Sequence, residues 1–417
     1  MKMCSRVLEI EGQFLYMPNC MIISFDDPVT HTTEVKLVRT TQFVNLGKLR
    51  DTHTIYKEVV HDVIGVEEAM ERLEAIITSQ NKYNRWVIVL MYGLASAFVG
   101  PFAFGARPID LPIAFVLGAL LGILQHIIAP KSDLYNNVFE VSAAVLTSFL
   151  ARAFGSINHG ELFCFSALCQ SAIALILPGY TVLCGSLELQ SRNMVAGSVR
   201  MVYAIIYSLF LGFGITIGTS FYGGLDSNAT SDVSCRTGTS TWFKFIFVPP
   251  FTLCLIIINQ GKWKQTPIMM VIAFIGFIVN HYSALRFSTN AQIANTLGAL
   301  AIGILGNLYS RLRHGLAAAA LLPAIYVQVP SGLAASGSLV SGITSANQIT
   351  RQNVNGTVAN GTTTISSATS QFTDVNSMIF NVGYSMIQVA IGITVGLFLS
   401  ALVVYPFGKR RSGLFSF

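Results

Sequence analysis

Residues 177–186 read LPGYTVLCGS and residues 329–338 read VPSGLAASGS. In each, a proline is followed by six residues and then Gly-Ser: Pro178 leads to Gly185-Ser186, and Pro330 to Gly337-Ser338. The phrases stand 152 positions apart (330 − 178), and each interrupts a long apolar block. Proline lacks a backbone N–H and clashes with the preceding turn, so a helix breaks there and leaves carbonyls without partners. In hydrocarbon such carbonyls survive only where protein, water or a solute meets them. The same break written twice points to a duplication.

Composition places those breaks in a membrane. Of 417 residues, 52% are hydrophobic and 11% charged, against roughly 25% charged in a soluble domain. The apolar residues come in blocks of the ~20 residues that a helix needs to cross a bilayer. Ten spans are expected, at about 86–104, 111–130, 135–155, 162–184 and 197–222, then 242–259, 265–284, 290–310, 314–336 and 377–405. The fold class is a polytopic α-helical membrane protein of about ten transmembrane helices in two inverted five-helix repeats, preceded by a small soluble α+β domain. That domain covers 1–85. The repeats cover 86–225 and 242–408, the second holding a polar Ser/Thr/Asn/Gly-rich loop at 343–375.

Within 1–85, QFLYMP, CMIISF and TEVKLVRT read as short strands and 46–61 and 65–79 as helices. Val66, Met70, Leu73 and Ile77 recur at helical spacing as one apolar stripe. Residues 1–12 lack the features of a cleavable signal peptide. The net charge of +6 is a loop effect, not a nucleic-acid signal. With a cytosolic N-terminus, the cytosolic loops and C-terminus hold Lys82, Arg85, Lys131, Arg192, Arg200, Lys262, Lys264, Arg311, Arg313, Lys409, Arg410 and Arg411. The other side holds only Arg107, Arg152, Arg236, Lys244, Arg286 and Arg351. The bias obeys the positive-inside rule with both termini cytosolic. Glycosylation sequons at Asn228, Asn355 and Asn360 fall on the non-cytosolic side.

Further matches keep the order of the repeat. Pro112-Ile113 opens a run reaching Gln125-His126, and Pro267-Ile268 one reaching Asn280-His281, an offset of 155 (267 − 112). GITIG at 214–218 matches GITVG at 392–396, an offset of 178 (392 − 214), as an insertion in the 343–375 loop would produce. Five spans per repeat force inversion, a plan of secondary transporters whose midplane sites use broken helices. The GIT motifs themselves read as small-residue packing.

Among polar residues in the apolar blocks, Glu140 stands out. An intramembrane carboxyl marks a solute or ion path, and low dielectric favours the neutral form that would carry a proton. The plainer reading pairs it with Lys131. Glu188 follows the first break and either gates the path or pairs with Arg192. Asp110 reads as a solvated surface partner of Arg107. His126 and His281, at equivalent repeat positions, are a candidate proton relay. Gln170 and Gln388 are weaker hydrogen-bonding candidates. The seven cysteines show no metal spacing and read as packing residues without redox work, with Cys235 alone in a polar loop. No HExxH, GxSxG, Walker loop or CxxC pair is present, so no enzyme, cofactor or metal site is expected.

The stretches EGQFLYMPNCMIISFDDPVTHTTEVKLVRT, SDLYNNVFEVSAAVLTSFLARAFGSI and LPGYTVLCGSLELQSRNMVAGSVRMVYAIIYSLFLGFGITIG resemble the threonine/serine exporter family, in its fungal branch of pheromone-regulated membrane proteins. The resemblance implies ten spans in two five-span parts and proton-driven export of threonine and serine. It places the family's break on Pro178-Gly179, the acidic residue after it on Glu188, the second break at Pro330-Ser331-Gly332, and a Gly-x-x-Arg on Gly197 and Arg200. The family's Gly-Ala-Pro-rich motif ahead of the first strand has no counterpart here, so a truncated N-terminal domain is expected. The function expected is proton-coupled export of threonine, serine or similar small solutes, by an integral protein of the plasma or vacuolar membrane. Its partners are lipid, an amino acid and protons, with a homo-oligomer left open. The alternative is a non-transporting scaffold in fungal mating or membrane fusion.

Overall fold

The computed structural model describes all residues except 28–31, 41–43, 227, 231, 233–234, 236–240, 288–290, 314, 329–386 and 407–417. Pro330, Gly332, Asn355, Asn360 and the 343–375 loop lie outside the described residues. After a short helix α1 (Lys2–Val7), strands β1 (Glu11–Met17), β2 (Cys20–Asp27) and β3 (Thr32–Arg39) form an antiparallel sheet in the order β1-β2-β3. Tyr16 faces Met21 and Met21 faces Val38 across the ladder. Helices α2 (Leu46–Val60) and α3 (Val66–Thr78) follow. Asn45 caps α2 by accepting from the Lys48 N–H at 2.9 Å. Arg72 on α3 joins the two helices by pairing with Glu58, 2.8 Å away, as well as with Glu68.

The stripe on α3 is real as a pattern but does not pack. Val66, Met70 and Ile77 are 56%, 67% and 76% exposed. The helix is held instead by its polar flank and by Lys48, whose ammonium donates to the Ser79 carbonyl at 2.8 Å.

Among the described residues, seven helices are long and apolar enough to cross a bilayer. They are α4 with its π-helical end (Arg85–Phe104), α5 with its extensions (Pro108–Lys131), α6 (Asp133–Gly155), α9 (Met194–Leu225), α11 (Thr266–Arg286), α12 (Gln292–Arg313) and α14 (Ile387–Val404). Two helices, α7 (Phe165–Ile173, continued to Ile176) and α8 (Gly179–Gln190), form an apolar pair bent by 49°, the shape of a broken span or a re-entrant loop. Two shorter apolar helices, α10 (Trp242–Ile258) and α13 (Ala317–Gln328), occupy the positions expected for the sixth and ninth spans. The chain is a polytopic helical membrane protein with a small N-terminal sheet.

One buried core is centred on α5, α7 and α9, with Leu117, Leu168, Ile173, Leu211 and Ile215. A second is centred on α11, α12 and α13, with Met269, Ile272, Ile302 and Leu321. Gly214 and Gly218 seat α9 on α6: a Cβ at Gly214 would lie 2.7 Å from the Ala144 Cβ, and one at Gly218 would overlap the Ser148 hydroxyl. The packing reading of GITIG therefore holds.

Two expectations about the far end of α9 are corrected. Cys235 is not alone: it forms a disulfide with Cys164, 71 residues away in sequence. Asp110 is fully buried, not solvated. Its carboxylate accepts from the Arg107 N–H at 2.9 Å and the Cys164 N–H at 3.0 Å, tying the start of the second span to the start of α7. A carboxylate this deep is tolerated because both oxygens are hydrogen-bonded.

Candidate functional site

Pro178 ends the 3-10 turn Ala174–Ile176 and α8 restarts at Gly179, so the span breaks where the proline predicts. Seven residues on, Gly185 meets Gly197 at the base of α9. A Cβ on Gly185 would sit 3.1 Å from the Gly197 carbonyl, and one on Gly197 2.8 Å from the Gly185 carbonyl. This close crossing brings together two charged side chains, each three residues beyond its glycine. The Arg200 Nε donates to both Glu188 oxygens, at 2.9 and 3.0 Å. The expected partner Arg192 is not the one used. Arg192 turns through a left-handed φ of 65° that closes the α8–α9 hairpin. Both side chains of the pair are mostly buried, 18% and 17% exposed. Arg200 also donates through Nη2 to the Tyr16 hydroxyl on β1, at 2.5 Å.

A cavity of about 370 Å³ opens beside this pair. Its walls are Tyr180, Leu183, Cys184, Leu187 and Glu188 of α8, Asn193, then Ala318, Leu321, Leu322 and Ile325 of α13, with Leu397 of α14. Glu188 is the charged residue of this lining. Above it the rings of Tyr180 and Tyr326 stack with centroids 5.3 Å apart, so α8 and α13 meet face to face. Ser186, from the Gly-Ser of the first phrase, exchanges a hydrogen bond with Thr394 of α14 at 3.0 Å. The arrangement is an apolar chamber whose lining includes the Tyr180 phenol, the Asn193 amide and one carboxylate, the make-up of a small-molecule site.

Comparison with known proteins places this geometry. The threonine/serine exporter profile matches residues 1–222. The chain belongs to that family of membrane transporters. An uncharacterized protein of Schizosaccharomyces pombe is 56% identical over all of this chain and 54% of its own length. The pheromone-regulated membrane protein 10 of Candida albicans is 53% identical over all of this chain and 37% of its own length. The Candida glabrata protein of the same name is 52% identical, over all of this chain and 51% of its own. The chain thus spans between about a third and a little over half of the relatives it matches. No solved structure matches it.

The other family-type candidates distribute differently. Glu140 is half-buried on α6, within electrostatic reach of Tyr203 and Tyr207 on α9. Among the described residues it forms no ion pair with Lys131. It does not line the cavity that holds Glu188. His126 and His281 are not brought together either. His126 sits in a π-helical turn, its ring 4.9 Å from that of Tyr92. His281 lies between Phe245 and Phe277, 5.2 and 6.1 Å away. Neither Nε2 has a hydrogen-bond partner among the described residues, so no relay links them there. Asn228 is exposed in a turn, its N–H bonded to Asp226. Gln170 is bonded to Ser166 at 2.8 Å, and Gln388 to Gln292.

Sequence reasoning missed Tyr16, Tyr180, Asn193 and Tyr326. Tyr180 had a signal, directly after the Pro-Gly break. Tyr16 had none, because an aromatic residue in a strand reads as structural.

Proposed function

We propose that the protein is a proton-coupled secondary transporter exporting threonine, serine or similar small solutes, and that the cavity between α8 and α13 is its solute site. The observation that carries this is the meeting of the bent pair α7–α8 with the short helix α13 around a chamber with the carboxylate of Glu188 in its wall. Family membership supplies the transport class. In this reading the apolar helices, with α7 and α8 taken as one span, make ten spans in two inverted five-helix repeats, 86–225 and 242–408, and 1–85 is a cytosolic domain. Support comes from matched joints. Gly396 of α14 packs on Thr296, Ala299 and Leu300, each 155 positions after Val141, Ala144 and Val145, the residues against Gly214. Glu140, in a separate polar spot facing Tyr203 and Tyr207, is the candidate proton carrier.

Orientation has structural support as well. The Cys164–Cys235 disulfide and exposed Asn228 lie at the end of α9 opposite Arg200 and the N-terminal sheet. Disulfides persist in oxidising compartments, so that end faces the lumen or exterior and the sheet faces the cytosol.

The test is counterflow of labelled serine and threonine in proteoliposomes, with and without an imposed pH gradient. Gradient-accelerated uptake against unlabelled internal solute, with its pH dependence lost in Glu140→Gln, is the expected result. Absence of flux from folded protein would overturn the reading. It would favour the alternative of a non-transporting membrane scaffold in fungal mating or fusion.

A further inference from the structure

We propose that the N-terminal domain is the cytosolic gate of the cavity, hinged on the second five-helix group and latched to the first through Tyr16, Arg200 and Glu188. The proposal rests on reading the cavity as a solute site.

The two seams of this domain differ in kind. The hinge seam is apolar and closed. Leu46, at the start of α2, is 1% exposed and packs in one core with Ile256 and Met269. Its N–H donates to the Asn259 carbonyl at 2.9 Å. Gly47 comes so near that a Cβ would lie 2.8 Å from the Gln260 carbonyl. Asp51 pairs with Lys262. The segment leading into the first span is fixed to the same loop. The Tyr83 N–H donates to Gln260 at 3.0 Å and Lys82 to the Gly261 carbonyl at 3.2 Å. Every one of these contacts is with residues 256–269, from the end of α10 to the start of α11.

The latch seam is polar. β1 reaches α9 through the Tyr16 hydroxyl, which accepts from Arg200. Polar seams open at lower cost than buried apolar ones, because water replaces the bonds that are lost. This seam is also wired to the cavity. The oxygens that hold Arg200 belong to Glu188, the charged residue of the cavity wall. A solute ammonium drawn to Glu188 competes with Arg200 for those oxygens. Arg200 then loses its counter-charge, and the Tyr16 contact that depends on its position loosens. By reciprocity, closing the latch changes the affinity of Glu188 for solute by the same factor. Tyr16 is thus a positioning residue acting through Arg200, and the solute class is one carrying an ammonium group small enough for about 370 Å³.

Full-length protein in lipid nanodiscs tests this by pulsed electron resonance between spin labels. One label pair, at Gln13 and Met194, spans the latch; a second, at Leu49 and Lys264, spans the hinge. Saturating serine is expected to lengthen or broaden the latch distance and leave the hinge distance unchanged. Tyr16→Phe keeps the ring but not the hydroxyl, and should show the shifted latch distribution without solute. In counterflow it should change the apparent KM for serine at least threefold while the saturated rate stays within twofold, and Arg200→Lys should restore less than half of what Arg200→Gln loses. The proposal is overturned if Tyr16→Phe leaves the latch distance unchanged, or if both label pairs move together. If wild-type protein carries no serine or threonine, the solute reading fails separately, and the Tyr16→Phe distances still decide the latch.

Discussion

The joint between α6 and α9 and the joint between α12 and α14 are built to one plan with different chemistry around them. On the first, Gly218 of α9 faces Ser148; on the second, Ser400 of α14 faces Gly303. Ser148 and Gly303 are 155 positions apart (303 − 148), so the small and the hydroxylated residue have exchanged helices while their combined volume stays alike. Gly214 and Gly396, which make matching contacts, differ by 182 (396 − 214). The offset of 178 suggested by GITIG and GITVG is therefore one helical turn out of register. The polar residues nearby differ more. Glu140 on α6 corresponds to Asn295 on α12 (295 − 140 = 155), which hydrogen-bonds Asn280 at 2.7 Å. Close packing tolerates few residues and preserves its geometry, whereas one polar side chain can be neutralised without moving a helix.

The largest expected effect would break the comparison at the joints themselves. Gly218→Leu and Gly396→Leu should each cost about 3 kcal/mol or more through overpacking, and neither variant should elute as a monodisperse species after extraction. If only one collapses, the joints are not equivalent. Next comes the start of the second span in each group. Asp110→Ala strands two buried N–H donors and should lower stability by about 2–4 kcal/mol. The corresponding Gln265 (265 − 110 = 155) has an Oε1 with no partner among the described residues. Gln265→Met should therefore change thermal stability by less than about 1 kcal/mol. A smaller effect is expected at the amide pair. Asn295→Ala should cost about 0.5–1 kcal/mol, within the range of interhelical polar contacts in membranes. Glu140→Gln should cost no more in stability yet remove the response of flux to pH. Equal loss of flux in Asn295→Ala would show that the divergence in charge has no functional meaning.

Much of the architecture was legible. Apolar blocks announce their own lengths, so the first eight expected spans agree with described helices to within about six residues, the last two running into residues outside those described, and Pro178 sits at a 49° bend as a missing N–H requires. What was hidden depends on distance along the chain. Glu188 finds Arg200 across a hairpin, twelve positions away, instead of the nearer Arg192. Cys164 and Cys235, 71 positions apart, are joined across the loop that follows α9 and the start of α7. Asp110 reads as a surface ion in isolation, and becomes a buried clasp only once the Cys164 N–H arrives. The stripe on α3 shows the reverse failure: helical spacing was right, but periodicity says where apolar groups line up and not whether anything covers them.

The hinge of the N-terminal segment also sets an order of assembly. Asp51 and Lys262 are separated by 211 positions, and the loop that receives Leu46 is made only after the first six apolar segments have left the ribosome. Some 180 residues (265 − 85) separate the end of this segment from its landing site. At about 5–20 residues per second, synthesis of that stretch takes on the order of ten to forty seconds. Throughout that interval the N-terminal segment lacks its berth, with Leu46 open to any chaperone or protease at the membrane surface. Protease resistance of the first 85 residues should therefore arise in one step, when chain length passes the α10–α11 loop.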